Sequence, residues 1–320
     1  MKAVHCTKLG TYLDLEVVEV PEPGDLEHHQ VKVALEVRGI QFSDLVRFSG
    51  EYQVQTPLPF VVGGEAAGTV IAVGSDVEGV EVGDRVLCPG GCVEEINVNH
   101  RAVTPVPAGI DLAAAASFRN NYATAYYGLQ RGMLKAGETL LVHGSAGGVG
   151  LAAVDIGKLY GATVIGTASS DDKLRVVSEM GADHVINYTD GFRDEVKALT
   201  AGSGADVIYD PVGGDVFDES MRCIAPFGRI LVIGFTSGRA ALAKTNHLLV
   251  KDASVIGYTI GGLQQHDPDK NRRNNAVLMD WLGSGRIKPY VSHSLPMEAI
   301  CDAYQLIVDR KVIGKVMITN

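Results

Sequence analysis

The run Thr139-Leu-Leu-Val-His-Gly-Ser-Ala-Gly-Gly-Val-Gly150, followed by Leu-Ala-Ala-Val154, is where this chain can hold a phosphate. An apolar strand, Leu140 to Val142, ends in Gly147, Gly148 and Gly150, which let the backbone approach a pyrophosphate and let the next helix pack close to its strand. N–H groups near Val149 and Gly150, at the start of that helix, lack intrahelical acceptors and carry partial positive charge, so they suit an anion. Ser145 stands where the first glycine of a G-x-G-x-x-G fingerprint would be, and glycine turns are common in any chain. The context decides: a helix from Gly148 to about Tyr160 leads into Gly161-Ala-Thr-Val-Ile-Gly-Thr167, a second apolar strand at the spacing of a βαβ unit. Ser145, Ala146, Gly147, Gly148, Val149 and Gly150 are therefore expected to hold a dinucleotide.

The end of that second strand selects the dinucleotide. An NAD site places Asp or Glu there to accept from the ribose 2′-hydroxyl, and such a carboxylate repels a 2′-phosphate. This chain has Thr167-Ala168-Ser169-Ser170 with no acid at the tip, then Lys173. The hydroxyls of Ser169 and Ser170 and the Lys173 ammonium can bind a phosphate, and NADPH is the expected cofactor. The same residues also fit a serine N-cap followed by Asp171 and Asp172 in a first helical turn, with Lys173 solvated. Both readings can hold at once.

These groups need a frame, and the texture of the chain supplies two. The first third consists of short strands at 15–20, 31–37, 68–73, 85–88 and 95–98, punctuated by turns such as Pro21-Glu-Pro-Gly24 and Val82-Gly-Asp84. It reads as a small barrel-like β domain. From about Asp111, helices alternate with apolar strands at 140–142, 162–167, 184–187, 207–209, 230–233 and 255–257, the pattern of a doubly wound parallel sheet. The tail changes again: a helix around 276–282, a strand at 291–295, a helix from about 297 to 309 and a closing strand at 315–318. That last strand needs a sheet to pair with, so the tail is expected to rejoin the first domain. The resulting division is 1–115 with 285–320 against 116–284.

Composition excludes several classes of function. A net charge of −10 over 320 residues argues against nucleic acid or an anionic membrane as the main partner. No apolar run is long enough to span a bilayer, and Met1-Lys-Ala-Val-His-Cys6 has no signal-peptide pattern, which points to the cytoplasm. Cys6, Cys88, Cys92, Cys223 and Cys301 are odd in number and scattered, as reduced thiols are. Only Cys88 and Cys92 are close, and the other half of a four-ligand zinc site is missing nearby. No metal is expected.

With the β domain, the glycine loop and the Lys173 segment in view, the chain resembles the zinc-independent quinone oxidoreductases, the zeta-crystallin-like group of the medium-chain dehydrogenase/reductase superfamily. The resemblance runs nearly end to end. It rests on Gly39-Ile-Gln-Phe-Ser-Asp44 with Arg47 and Gly50-Glu-Tyr52, Pro57-Leu-Pro59, Gly63-Gly-Glu-Ala-Ala-Gly68 and Val82-Gly-Asp-Arg-Val86. Further along it rests on Thr124-Ala-Tyr126, the Ser145–Gly150 loop, Gly166-Thr-Ala-Ser-Ser170, Gly181-Ala-Asp183, Ile186-Asn-Tyr188 and Asp210-Pro-Val-Gly-Gly214.

The resemblance implies an α/β fold: a Rossmann-type doubly wound parallel sheet plus a mostly β, GroES-like barrel domain. It also implies that NADPH gives a hydride to a quinone or an activated double bond in an interdomain cleft. Ser170, Lys173 and Tyr188 then contact the 2′-phosphate, the Ala146 to Val149 backbone holds the pyrophosphate, and Thr124 with the Gly234-Phe235-Thr236-Ser237 turn faces the nicotinamide. Zinc-dependent relatives place Cys, His and Cys where this chain has Gln41, Gly64 and a position near Asn120, none of them a thiolate or imidazole. Without a Lewis acid to stabilise an alkoxide, hydride addition to a conjugated acceptor is the better fit. Gln41 and Tyr52 are the candidates for the substrate side, because an amide and a phenol can donate to a developing oxyanion. The family usually has Asn at position 41, one methylene shorter.

Other residues in these motifs have structural readings. Asp44 can cap a short helix with Arg47 as its partner, and Tyr52 can equally pack against Pro57 and Pro59. His143 is expected to point at a neighbouring element, with no partner that makes it a base. Asn120 and Asn121 can line the nicotinamide pocket or cap the following helix.

Three functions stay open at this level. The first is an NADPH-dependent reductase of quinones or α,β-unsaturated carbonyls, which needs orientation and a dry site more than a general acid. The second is a reductase of enoyl thioesters such as acyl-CoA, for which Arg239, Lys244, Arg272 and Arg273 are candidate phosphate contacts. The third is an NADPH-binding protein with little turnover. The segment from Ala253 to Ile260 reads as an apolar edge strand, which a homodimer would cover.

Overall fold

Short alternating strands build the first unit, Met1–Arg119 together with Tyr290–Asn320, in a computed structural model that describes residues 1–51 and 55–320. The chain begins with β1 (Lys2–Cys6), β2 (Leu15–Glu19) and the long β3 (Gln30–Ile40), then α1 (Phe42–Phe48), β4 (Phe60–Val61), β5 (Glu65–Val73), β6 (Arg85–Cys88), β7 (Glu95–Asn99) and β8 (Thr104–Pro105). In β3, Val31, Val33 and Leu35 alternate inward and pack with Ala66, Val70, Val86 and Cys88, as a period of two requires. β1 is absent from the sequence-based reading. Its apolar residues Ala3, Val4 and Cys6 are interrupted by the half-buried His5.

Helix α2 (Leu112–Arg131) carries the chain from this unit into the second, Asn120–Pro289. There β9 (Thr139–Val142), α3 (Gly148–Leu159), β10 (Thr163–Ala168), α4 (Asp171–Glu179), β11 (His184–Asn187), α5 (Arg193–Leu199), β12 (Ala205–Asp210), α6 (Gly214–Cys223), β13 (Ile224–Val232), α7 (Thr245–Lys251) and β14 (Ser254–Gly257) alternate. Helices α8 (Ile260–His266) and α9 (Pro268–Gly283) follow. The six strands are parallel in the order β11-β10-β9-β12-β13-β14. Numbered within the sheet, that is 3-2-1-4-5-6, the Rossmann order, whose switch point falls between β9 and β12. Leu140, Leu141 and Val142 are fully buried, as expected of a central strand with helices on both faces.

The tail returns to the first unit as β15 (Val291–Pro296), α10 (Ile300–Val308) and β16 (Lys315–Thr319). β16 pairs antiparallel with β3, completing a sheet ordered β15-β16-β3-β5-β6-β8, with β7 also on β3; β2-β1-β4 form a separate small sheet. A second core of this unit gathers Phe48, Phe60, Ile300, Tyr304, Val316 and Ile318.

Two elements start at least six residues earlier than their sequence pattern suggests. β13 begins at Ile224 rather than Ile230, because Pro226 and Gly228, which look like turn residues, are absorbed at an irregularity in the β12–β13 pairing, with Phe227 at φ 62°. α9 begins at Pro268 rather than near Ala276: Asp267 Oδ1 accepts from Lys270 N–H at 3.0 Å, and proline at the first turn suits a helix start. Its polar first half hides the helical period. The expected helix from 297 to 309 is a 3-10 turn, Met297–Ala299, followed by α10. Among the described residues no helix is long and apolar enough to cross a membrane.

Candidate functional site

At the carboxyl end of β9 the glycine loop turns into α3. Gly147 occupies the N-cap with ordinary extended dihedrals and supplies no side-chain cap. Leu151 N–H makes the first intrahelical bond, to Gly147 O at 2.8 Å, so the N–H groups of Gly148, Val149 and Gly150 belong to the open turn. Gly150 is sterically required, being hemmed in by backbone, whereas Gly148 meets only a side chain. A Cβ on Gly150 would collide with Gly144 O and stand 2.7 Å from Ser145 Cα, and one on Gly148 would stand 2.7 Å from Asn121 Cγ. Asn121 thus packs over the loop at Gly148. Ser145, which stands in for the first glycine, is fully buried; its N–H and Oγ both donate to Thr167 O, at 3.0 and 2.9 Å. Its side chain ties the loop to β10. Ala146 is buried as well, so neither residue offers a side chain to solvent.

The adjacent strand ends bring the ribose-end candidates together. Ala168 on β10 pairs with Asn187 on β11, so Ser169 and Ser170 leave the sheet beside Tyr188. Ser170 is the N-cap of α4 by position, yet its side chain makes no capping bond. The N-cap role left open for this hydroxyl is therefore not taken. Asp171 Oδ1 accepts from Asn187 Nδ2 at 3.1 Å. Lys173 lies half-buried in the first turn of α4, and Tyr188 packs at the margin of the core formed by Ile165, Ile186 and Phe192.

Further across the sheet, Asp210 ends β12 and organises the next turn. Its Oδ1 accepts from Val212 N–H at 2.8 Å and Gly213 N–H at 3.0 Å. Burial pushes this carboxyl above the usual range, against the pull of those two donors. Thr236 N–H donates to Pro211 O at 3.1 Å and Ser237 N–H to Val212 O at 3.0 Å, so the Gly234, Phe235 and Thr236 turn is laid against the β12 loop. The role of Asp210 was not read from the sequence, although Asp followed by Pro-Val-Gly-Gly is an Asx-turn pattern. Thr124, half-buried on α2, accepts through its carbonyl from Tyr258 O–H at 2.8 Å. The glycine loop, the Ser169 to Lys173 segment, Tyr188 and the Gly234 turn thus stand at the carboxyl ends of β9 to β13, where doubly wound sheets bind their ligands.

His143 lies behind the loop, fully buried against Phe192 at 4.6 Å between ring centroids. It has partners on two other elements. Ser220 Oγ donates to Val216 O at 2.7 Å and so accepts from His143 Nε2–H at 2.8 Å, leaving Nδ1 to accept from Thr167 Oγ1–H at 2.9 Å. The imidazole is neutral, and burial pushes its pKa down to about 3. An unfolded chain titrates this group near 6.5, so between those values the unfolded state binds the extra proton and stability falls as pH drops. Trp281, the single tryptophan, reports unfolding of this unit. From pH 7.5 to 5.0 the wild type is expected to lose about 2 kcal/mol more than His143→Gln in urea titrations; equal losses would mean an ordinary histidine.

In the first unit, Gln41 is the half-buried, extended residue between β3 and α1. Its N–H donates to Asp44 Oδ2 at 2.9 Å, and Tyr304 O–H donates to the same oxygen at 3.0 Å. Asp44 therefore does cap α1, with Tyr304 as a partner no local reading supplies. Arg47 lies over the Phe60 ring, 6.0 Å from its centroid. Tyr52 lies outside the described residues. Burial pushes the Cys88 and Cys92 thiols up to about 12, which makes them neutral core groups. Among the described residues no group of three or more His, Cys, Asp or Glu could hold a metal ion.

Comparison with known proteins finds relatives that match over the whole chain. Residues 27–125 match the family model of the alcohol dehydrogenase GroES-like domain, and residues 148–273 match that of zinc-binding dehydrogenases. The chain is 41% identical to a quinone oxidoreductase-like protein 2 homolog of Nematostella vectensis, covering all of this chain and 89% of the relative. It is 35% identical to quinone oxidoreductase-like protein 2 of Bos taurus, over 99% and 92%. The structure of Escherichia coli quinone oxidoreductase complexed with NADPH superposes with a TM-score of 0.90 at 28% identity, each chain fully covered. A GroES-like antiparallel unit, a Rossmann-ordered sheet and end-to-end identity of this size make the chain a member of the quinone oxidoreductase group of the medium-chain dehydrogenase/reductase superfamily.

Proposed function

We propose that the chain is an NADPH-dependent reductase that passes a hydride to a quinone or an α,β-unsaturated carbonyl without a zinc ion. The observation that carries this reading is the row of groups along the carboxyl ends of β9 to β11. It pairs an uncapped, glycine-bounded helix start with two serines, a lysine and a tyrosine, and has no carboxylate at the tip of β10. Those residues fit NADPH, which supplies the hydride when bound. The Ala146 to Gly150 backbone receives the pyrophosphate. Ser169, Ser170, Lys173 and Tyr188 receive the 2′-phosphate, with Lys173 as a point charge. Thr124 and the Gly234 to Thr236 turn orient the nicotinamide.

On the acceptor, the Gln41 amide donates to the carbonyl oxygen as charge develops there, with Tyr52 as a second donor. Gln41, Gly64 and Asn120 supply no thiolate or imidazole for a catalytic metal, which supports the zinc-free reading. The deciding experiment follows absorbance at 340 nm with NADPH or NADH against quinones, an aliphatic enone and a short enoyl-CoA, with and without a chelator. Chelator-resistant turnover selective for NADPH supports the proposal and names the acceptor class. Tight NADPH binding without turnover on any acceptor refutes it.

Lys173→Ala is expected to weaken NADPH binding about tenfold or more, the size of one charge-assisted contact, and to leave NADH nearly unchanged; titration calorimetry with both cofactors reads the difference. An equal effect on both would make Lys173 an ordinary surface cation. We further propose that the protein is a homodimer. β14 is the outer strand of the sheet, and Leu249 and Val250 on the preceding helix are 83% and 85% exposed, an apolar edge that favours pairing. Light scattering on dilution checks this, and a constant single-chain mass would overturn it.

A further inference from the structure

None of the contacts described so far uses a buried ion pair of the first unit. Lys315 opens β16 and Glu65 opens β5, the two strands that flank β3. Their side chains form an ion pair, with only 4% and 3% of the two side chains exposed. The pair crosses β3 at Gly39, which faces Glu65 on one side and Met317 on the other. Only glycine permits the crossing: a Cβ there would stand 2.6 Å from Glu65 Oε1 and 2.7 Å from its Cγ. Val316 pairs with Ile40, and the next step of that antiparallel register sets Lys315 opposite the extended Gln41.

Such a pair is a poor device for stability alone. Taking both charges out of water costs about as much as their attraction returns, and apolar residues of the same volume commonly do as well or better. What it provides is a directional tie. It spans three neighbouring strands at the corner where the chain leaves the sheet, two residues before Gln41. The Asp44 and Tyr304 contacts hold the far side of the same corner.

We propose that Glu65 and Lys315 are positioning residues that hold the β3–α1 corner and so aim the Gln41 amide at the acceptor. This inference rests on the acceptor-side role of Gln41. The test is the double variant Glu65→Gln with Lys315→Met, which removes both charges together so that neither partner of the pair is left buried alone. Its unfolding temperature and NADPH affinity are expected to stay close to wild type. Amide hydrogen exchange across residues 39–45 is expected to quicken about tenfold, and kcat to fall about tenfold with a smaller change in KM, as for a displaced reacting group. Lys315→Arg with Glu65 intact keeps the pair and should leave both near wild type.

Wild-type exchange and wild-type kcat in the folded double variant would overturn the proposal. If the double variant does not fold, Glu65→Asp draws the carboxylate back by one methylene and is read by the same two measurements with the same outcomes. If the wild type turns over no acceptor, the reading of Gln41 fails, while the exchange measurement still decides whether the pair holds the corner.

Discussion

Replacing Gly150 with alanine is expected to weaken NADPH binding about a hundredfold while the β unit stays folded. The added methyl meets backbone on every near side: Gly144 O, Ser145 Cα at 2.7 Å and Ser145 C at 2.9 Å. None of these atoms can rotate away, and Ser145 is fastened to Thr167 O through both its N–H and its hydroxyl. The loop must therefore shift as a body relative to α3. Overpacking of this kind costs about 1–3 kcal/mol in stability. The larger effect is on the ligand, because the N–H groups of Gly148 to Gly150 leave the positions that receive the pyrophosphate. Losing one or two hydrogen bonds to a charged group amounts to about 3 kcal/mol, or two decades in Kd. Calorimetric titration with NADPH, beside a thermal melt, checks both parts. Unchanged affinity in a folded Gly150→Ala protein would mean that this helix start does not hold the pyrophosphate.

That loop was legible in the sequence because its requirements are local. Glycine spacing, an apolar strand before it and a small-residue helix after it all fall within sixteen residues, and each states a backbone demand directly. The parallel sheet was legible for a similar reason, since strands covered on both faces appear as continuous apolar runs. Elements whose boundaries depend on partners were less so. β13 absorbs Pro226 and Gly228 because β12 pairs alongside them, and α9 starts in a polar stretch that only its Asp267 cap and Pro268 announce.

The side chains that finish the site were hardest to read, because their partners are distant in the chain. His143 is fixed by Thr167 and Ser220, Asp44 by Tyr304, and Glu65 by Lys315. No spacing rule links residues that lie from 24 to 260 positions apart on different elements. Asp44 shows both limits at once. Its short-range bond to Gln41 N–H follows from the cap pattern, while its bond to α10 depends on the tail having returned to the first unit. Ser145 shows a local pattern that misleads about direction: a serine in a phosphate loop suggests a ligand hydroxyl, whereas here the hydroxyl faces β10.

The largest effect on turnover is expected at Gln41. Gln41→Leu keeps the backbone N–H that Asp44 caps, so α1 should begin where it does now. It removes the only part of the residue that can donate to an acceptor oxygen. Deleting one such donor typically lowers kcat by about a hundredfold or more, because it stabilises charge that exists only in the transition state. NADPH affinity should be unchanged, since the groups assigned to the cofactor all belong to the other unit. The series around this substitution separates donation from size. Gln41→Asn retains the amide one methylene shorter and should keep much of the activity. Gln41→Glu has nearly the same shape, but its ionised carboxylate accepts without donating and repels the charge that develops on the acceptor. It should be slower than Gln41→Leu above the carboxyl pKa and recover as the pH falls and the side chain regains a proton to donate. A Glu variant as fast as wild type across that pH range would remove the amide from the chemistry, and would take with it the reason for aiming this side chain at the acceptor.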